Sequence, residues 1–179
     1  MSSGICWSSA DKTAIFDYIS GVKIPIIKRG AILAYKNVLS TYKETTVKTA
    51  GQGQLIVMLY DEAVKQLTKA AELIDLNNKD KKEPGRIEQI SKAIMKTEEI
   101  LTELIVSLDF EHGGDISKNL FSLYTWFNRE LVEANINQDI KRMLAVRDML
   151  ADLRNTWSAV ANQSPAAKPN ESVGLNIAG

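Results

Sequence analysis

The stretch Gln54-Leu-Ile-Val-Met-Leu-Tyr-Asp-Glu-Ala-Val-Lys-Gln-Leu67 decides the fold. Six apolar residues stand in a row from Leu55 to Tyr60, and apolar residues then recur at intervals of three and four as far as Ile74. The short run alone is compatible with a buried strand, but its continuation over roughly 25 residues predicts a helix. Because the first two turns are apolar on every side, we expect other helices, a covering segment or a partner to enclose them.

Three more segments repeat this helical pattern. Their apolar residues recur at the three- and four-residue intervals that line one side of a helix, and no segment shows a strand signal. Polar stretches with turn residues separate the segments. The sequence therefore predicts an all-α fold, an antiparallel up-down-up-down four-helix bundle with a short extra N-terminal helix. The first long helix is expected at 52–76, and the apolar sets of the others lie at 87–108, 116–134 and 143–160.

The helix ends also carry sequence signals. The second helix is expected to stop at Glu111-His-Gly-Gly114, where a glycine can take the left-handed conformation that ends a helix. We expect Asp115 to cap the third helix and Asp139 to lie in the first turn of the fourth. Thr49 or Gly51 is the expected cap of the first.

The two ends of the chain differ from the bundle. Residues 31–47 carry an amphipathic pattern that predicts a short helix, and so short a helix must dock on the bundle to be stable. Residues 1–30 are broken by glycines and a proline, and we expect an extension that is partly ordered or not native. The bundle domain is therefore expected to span 31–162. The tail 163–179 is rich in Pro, Ser, Asn and Gly and is expected to be disordered.

Composition excludes several function classes. The 22 Lys and Arg residues balance 22 Asp and Glu residues, so no overall field favours nucleic acid. No window approaches the eighteen or so apolar residues of a membrane span, so we expect no membrane insertion. Cys6 is the only cysteine, and a single thiol favours a reducing compartment. Without a recognisable secretory signal, the sequence predicts a cytoplasmic protein.

The loop Asp109-Phe-Glu-His-Gly-Gly-Asp115 holds the densest cluster of titratable groups. Its single histidine could serve acid–base chemistry in principle, but a glycine-terminated helix followed by a capped helix explains the same residues, apart from His112. The chain has no nucleophile with a paired base, no phosphate-binding glycine loop and no metal-ligand spacing. We therefore expect no catalytic residues, no metal and no cofactor.

Apolar side chains exceed what one core stripe needs. Ile56 and Tyr60 form a second line on the first helix, and Phe121 and Tyr124 stand beside the core line of the third. Such wide stripes are typical of a central helix that meets two neighbours. That explanation is favoured for any single residue, but the wide stripes taken together favour grooves that hold another helix or an extended chain.

Several segments together resemble the flagellin export chaperones of the FliS family. The match covers residues 31–161 in the correct order. The segments that carry it are Ala34-Tyr35, Thr49-Ala50, Leu55-Ile56-x-Met58-Leu59-Tyr60-Asp61-x-Ala63 with Leu67, Ser107-Leu-Asp109-x-Glu111-x-Gly113-Gly114-Asp115-Ile-x-x-Asn119-Leu120-x-x-Leu123-Tyr124, Leu131-x-x-Ala134-Asn135-x-x-x-Asp139, and Leu153-Arg-x-x-Trp157.

The resemblance implies a small antiparallel helical bundle that acts as a cytoplasmic chaperone. Its expected partner is the C-terminal segment of flagellin, which is unfolded in the monomer and is bound one-to-one along surface grooves. Binding would prevent premature polymerisation, and the complex would be presented to the flagellar type III export gate without nucleotide or metal.

The partner-binding residues expected from the resemblance come from several helices. Asn135 and Asp139 could instead fix the turn between the last two helices. The rival interpretation is a structural bundle whose wide stripes serve weak self-association, or a general flagellar adaptor. The expected partner-binding residues are Ile32, Tyr35, Leu55, Met58, Leu59, Tyr60, Asn119, Leu123, Tyr124, Asn135 and Asp139.

The sequence departs from the family pattern in three places. Gly51 and Gln52 replace the usual Ser or Asp followed by Pro, which predicts a looser start of the first long helix. Glu62 stands where a glycine commonly follows the Tyr-Asp pair, so close backbone approach of a partner there is not expected. Family members usually begin a few residues before Tyr35, so the resemblance does not explain the first thirty residues.

Overall fold

A computed structural model describes residues 51–80 and 83–163. This part of the chain forms four α-helices and no strand, which confirms the predicted all-α bundle. The expected helix in 31–47, the extension 1–30 and the tail beyond Gln163 lie outside the described residues. The helices are α1 (Gln52–Lys79), α2 (Pro84–Ser107), α3 (Gly114–Asn137) and α4 (Ile140–Gln163).

The helices form a ring in chain order. α1 packs extensively against both α2 and α4, whereas α3 completes the ring with less extensive contacts to α2 and α4. An ion pair between Asp61 and Arg154 joins the start of α1 to the end of α4. A hydrogen bond between Ser91 and Asn135 joins the start of α2 to the end of α3. Helices next to each other in the ring are therefore antiparallel, as the up-down-up-down prediction requires.

The core follows the three- and four-residue spacing of the apolar residues. Each helix turns one apolar side inward, and aromatic and leucine side chains from all four helices meet there. Ile87 is an exception, since it belongs to the predicted apolar set of α2 but is exposed at the start of that helix. The largest fully buried side chains are Trp157, Tyr60, Tyr124, Phe127, Leu55, Ile56, Leu59, Leu67 and Ile74.

The connection between α2 and α3 differs from the expected glycine-terminated helix. α2 ends at Ser107, before the glycines, and Gly114 takes the left-handed conformation (φ 50°) at the start of α3 instead. Gly113 is the N-cap of α3, and Asp115 lies in its first turn. The expected glycine terminator of the second helix and the expected N-cap role of Asp115 were therefore wrong, although the Asp115 carboxylate does lie at the start of α3, and the reason lies in Asp109.

Asp109 organises this connection. Its carboxylate accepts hydrogen bonds from the backbone N–H groups of Glu111 and His112 at 2.9 and 3.1 Å. Its backbone carbonyl accepts one from the Ser117 hydroxyl at 2.6 Å and one from the Gly113 N–H at 3.0 Å. The chain therefore turns at Asp109, four residues before the first glycine, because this one residue pairs the free backbone groups of the turn.

Candidate partner-binding site

Six of the expected partner-binding residues lie in the interior. Tyr60 is fully buried, and its hydroxyl forms a short hydrogen bond with the Tyr124 hydroxyl across the core. The buried Trp157 lies beside Tyr60. These aromatic side chains therefore fill the bundle in the present conformation rather than facing a partner. The six are Leu55, Met58, Leu59, Tyr60, Leu123 and Tyr124.

Met58 is the member of this set that the helical geometry directs outward. Lys65 and Lys69 follow Met58 on the same face of α1 and are exposed, whereas Glu62 on this face is buried. Met58 is nevertheless only 3% exposed, so this face is covered at Met58 but open at Gln54 before it and at Lys65 and beyond. The enclosure expected from the apolar run is therefore present on every side. The exposed residues of the face are Gln54, Lys65, Lys69, Glu72 and Leu76.

The buried tyrosine pair predicts alkaline instability. Burial, and next the nearby Tyr124, raise the pKa of Tyr60 well above its ordinary value of 10.0. The unfolded chain releases this proton near pH 10 while the folded chain retains it, so stability is intact below pH 10 and falls above it. The expected loss is about 1.4 kcal/mol per pH unit. Urea unfolding between pH 8 and 11 measures this slope.

Tyr60→Phe is the matched control for that slope. The variant lacks the group that titrates, so its stability should decline less steeply above pH 10 than that of the wild type. An equal slope in both proteins would contradict the assignment to Tyr60.

The remaining expected residues lie in different places. Asn119 is exposed on α3, and Ile32 and Tyr35 lie outside the described residues. Asp139 caps α4, since its carboxylate accepts the backbone N–H groups of residues 141 and 142 at 3.0 and 3.1 Å. Asn135 accepts a hydrogen bond from Ser91 and is half-buried between α2 and α3. Asp139 therefore fixes the last turn, whereas Asn135 belongs to the surface between two helices.

Two distant parts of the family pattern meet in the structure. Asp61 follows the buried Tyr60, and its carboxylate accepts a hydrogen bond from the Arg154 Nε at 2.7 Å. Arg154 lies three residues before the buried Trp157, so one helical turn of α1 contacts one of α4 through both an ion pair and the aromatic cluster. Much of the Tyr-Asp and Arg-x-x-Trp resemblance therefore reflects packing within the bundle.

Glu62, the departure from the family glycine, is also part of the packing. Its side chain is 2% exposed, and Oε1 accepts a hydrogen bond from Gln66 Nε2 at 2.7 Å. Lys65, one turn away, places its ammonium 3.5 Å from the other carboxylate oxygen. The carboxylate is thus paired within α1 and occupies space that a glycine would leave open.

The surface between α2 and α3 carries exposed apolar side chains from both helices. The Ser91–Asn135 hydrogen bond shows which sides of the two helices face each other. Residues at seven-residue intervals from this pair continue the facing rows, since seven residues make about two helical turns. We call this surface the α2–α3 groove. Its facing rows are Ser91, Glu98 and Ile105 on α2 and Phe121, Asn128 and Asn135 on α3, and its rims are Ile87, Met95, Val132 and Ile136.

The rims of the groove are apolar, and the groove also contains a buried oxygen without a hydrogen-bond partner and a partly buried carboxyl group. Met95, Val132 and Ile136 are 58, 46 and 73% exposed. Asn128 Oδ1 is buried without a hydrogen-bond partner. Partial burial raises the pKa of Glu98. Such a surface is incomplete without an occupant, because buried acceptors in proteins are normally paired.

Sequence reasoning found only parts of this groove. Phe121 was placed in a second apolar line, and Asn135 was named, but Asn128, Val132 and Ile136 were missed. The available signal was the spacing of exposed apolar residues on α3, which are eleven and four residues apart and so share one side of the helix. That signal becomes interpretable only when the partner helix on that side is known.

The titratable side chains in the loop after α2 stabilise the turn. His112 Nδ1 lies 2.9 Å from the Asp109 carboxylate, and this hydrogen bond raises the pKa of His112 and lowers that of Asp109. The same carboxylate holds the backbone of the turn, so its pairing is structural. In the ranges that the structure describes, no three His, Cys, Asp or Glu side chains converge as metal ligands would. None of the helices described has the length and apolar character to cross a bilayer.

Comparison with known families identifies relatives of the chain. A family model described as flagellar protein FliS matches residues 35–164. The chain is 32% identical over 130 residues to the flagellar secretion chaperone FliS of Salmonella typhimurium strain LT2, covering 72% of this chain and 88% of that protein. It is 27% identical to the Bacillus subtilis strain 168 protein of the same name, covering 70% of this chain and 86% of that one.

A solved structure shares the architecture. The crystal structure of a flagellar chaperone from bacteria aligns with a TM-score of 0.55 and 18% sequence identity, covering 72% of this chain and 98% of the other. At this level of identity the likeness shows the fold alone. It agrees with the four-helix bundle described above.

Proposed function

The chain belongs to the FliS family of flagellar proteins, and we propose that it binds the C-terminal segment of flagellin in the cytoplasm. Binding keeps the segment from polymerising early, and the complex is delivered to the flagellar type III export apparatus. The names of the relatives support the chaperone class, which is not an enzyme class. Those names do not mention flagellin or the export apparatus, and both partners are part of what we propose.

The α2–α3 groove is the observation that carries this proposal. It is bordered by exposed apolar side chains from Met95 to Ile136, and it contains an unpaired acceptor at Asn128. From Phe121 to Ile136 the groove follows α3 for 15 residues, which is about 22 Å of helix. An unfolded segment that becomes helical on binding can cover such a surface with one apolar face.

The covered start of α1 supports a second contact region. Met58 lies on an outward face that is open further along α1, yet it is buried here. A segment of flagellin that replaced the present cover of this face would keep Met58 and the apolar turns around it buried. The groove and the α1 start would then bind successive parts of one extended partner, as a long unfolded segment requires.

Light scattering coupled to size exclusion tests the function. Mixed with the C-terminal segment of flagellin from its host, the protein should elute as a one-to-one complex, because one chain presents one groove. The separated proteins, run at the same concentrations, provide the reference masses. A mixture that shows only the two free masses would contradict the proposed function.

The same experiment addresses self-association. The apolar rims that favour a partner also favour a second copy of the chain, so the empty protein could dimerise weakly. If the protein is a chaperone, adding flagellin should dissociate any homodimer and form the one-to-one complex with flagellin. A dimer that persists unchanged with flagellin present would favour the structural alternative.

A further inference from the structure

A cleft with unusual chemistry lies at one end of the α2–α3 groove. It opens where the end of α1, the start of α2 and the end of α3 meet, and it holds about 320 Å³. Ile136 forms the end of the groove and one wall of the cleft, so the two surfaces are continuous. The lining residues are Asn77, Ile87, Ser91, Asn135, Ile136 and Gln138.

Two carboxamides of the cleft are buried without hydrogen bonds. Asn77 is 4% exposed, and neither its Nδ2 nor its Oδ1 has a partner. Gln138 Nε2 donates to the Asn135 carbonyl at 2.7 Å, but Gln138 Oε1 is buried and unpaired. Unpaired buried polar groups destabilise a fold, so a protein seldom keeps three such atoms in one place. The cleft thus has one free donor and two free acceptors.

The chemistry of the lining selects the ligand. No lining residue carries a charge, so a phosphate, carboxylate or ammonium group would be buried there without a counter-charge, which is costly. Ile87 and Ile136 are 40 and 73% exposed and offer an apolar wall at the opening. A neutral group with one N–H and one C=O beside an apolar side chain fits all of these features. The N–H and C=O of one extended residue of a polypeptide are such a group.

We propose that this cleft binds a non-helical peptide group of the polypeptide that occupies the α2–α3 groove. The pairing uses the C=O and the N–H of one extended residue, which lie on the same side of the chain: the C=O accepts from Asn77 Nδ2 and the N–H donates to Asn77 Oδ1, with Gln138 Oε1 as a further acceptor in the cleft. A peptide group inside a helix already uses both atoms, so the bound segment must leave its helical conformation at the cleft. The identity of that polypeptide as flagellin rests on the function proposed above, whereas the peptide chemistry of the cleft does not.

Asn77→Leu separates a binding role from a structural one. Leucine resembles asparagine in shape and removes both unpaired atoms, so the empty protein should melt about 3 °C higher. The same change removes two hydrogen bonds to the bound peptide, so affinity for the flagellin segment should fall roughly tenfold. Thermal unfolding by circular dichroism and titration calorimetry measure the two effects. Asn78→Leu, at the exposed neighbouring position, is the control and should show neither.

A small probe tests the cleft without flagellin. N-acetyl-leucine-N-methylamide carries peptide groups and one apolar side chain. In amide NMR spectra of the wild-type protein it should shift the side-chain NH₂ signals of Asn77 and Gln138, and Asn77→Leu should reduce the shift at Gln138. The proposal would be overturned if neither signal changed its chemical shift at the solubility limit of the probe.

The two experiments distinguish the cleft from the function. If flagellin binds the wild type and Asn77→Leu equally, the cleft proposal is overturned while the chaperone function stands. If flagellin does not bind the wild type but the probe shifts both signals, the proposed function is contradicted. The cleft would then be a peptide-binding site for another polypeptide.

Discussion

Gly113→Ala is expected to lower the free energy of unfolding by about 2–3 kcal/mol. A Cβ atom at this position would lie 1.9 Å from Ser117 Oγ and 2.4 Å from the Asp109 carbonyl oxygen. The backbone oxygen cannot rotate away, and it is held in place by the Ser117 hydroxyl and the Gly113 N–H. The turn must therefore open, and the hydrogen bonds that join Asp109 to the start of α3 are lost with it. Urea unfolding followed by circular dichroism gives the change.

Gly85→Ala is the matched control for this substitution. Nothing lies within 4 Å of a Cβ built at Gly85, which is exposed in the first turn of α2. Alanine in a helix is more stable than glycine by about 0.5–1 kcal/mol, so this variant should gain stability. Both variants replace glycine with alanine, but the expected changes in the free energy of unfolding have opposite signs. Equal stability of the Gly113→Ala variant and the wild type would show that the turn is not constrained as described.

The double variant Phe121→Asp and Val132→Asp is expected to weaken flagellin binding at least about 100-fold. The two side chains lie about half-exposed on the α3 side of the groove, 43 and 46% respectively, where a partner would bury them. Each substitution removes apolar contact and would place a carboxylate under the bound segment without a counter-charge. Calorimetric titration with the C-terminal flagellin segment measures the loss.

Because neither side chain is part of the core, the double variant should unfold within about 1 kcal/mol of the wild type. Ala145→Asp with Ala159→Asp places the same two charges on exposed positions of α4 and should leave the affinity unchanged. Equal weakening by both double variants would indicate a general charge effect, and unchanged binding by the groove variant would place flagellin elsewhere.

The bundle could be predicted from the sequence because its signal is local. Every helix shows apolar residues at three- and four-residue intervals, and that spacing depends only on helical geometry. The helix ends were harder to predict. The glycines at 113 and 114 look like a helix terminator, but Asp109 ends the helix earlier through hydrogen bonds that composition does not reveal. Competing side-chain caps decide such boundaries.

The binding residues could be predicted only in part, because two adjacent apolar stripes look alike in a sequence. Tyr60 and Tyr124 are amphipathic and suit either a core or a surface, and their pairing across 64 residues becomes visible only in three dimensions. Asn77 and Asn128 lie in or near polar stretches, where an exposed asparagine is ordinary. Their significance comes from burial without partners, which requires knowledge of every neighbouring helix.

The unequal packing around the ring has a consequence for motion. α1 is held on both sides by extensive contacts with α2 and α4, whereas α3 has less contact with each of its neighbours. Segments with fewer contacts open locally at lower free energy, so α3 is the wall of the groove that can shift outward while the other three helices keep their positions. The width of the groove is then adjustable, and side chains of different bulk can be accommodated along a single bound segment.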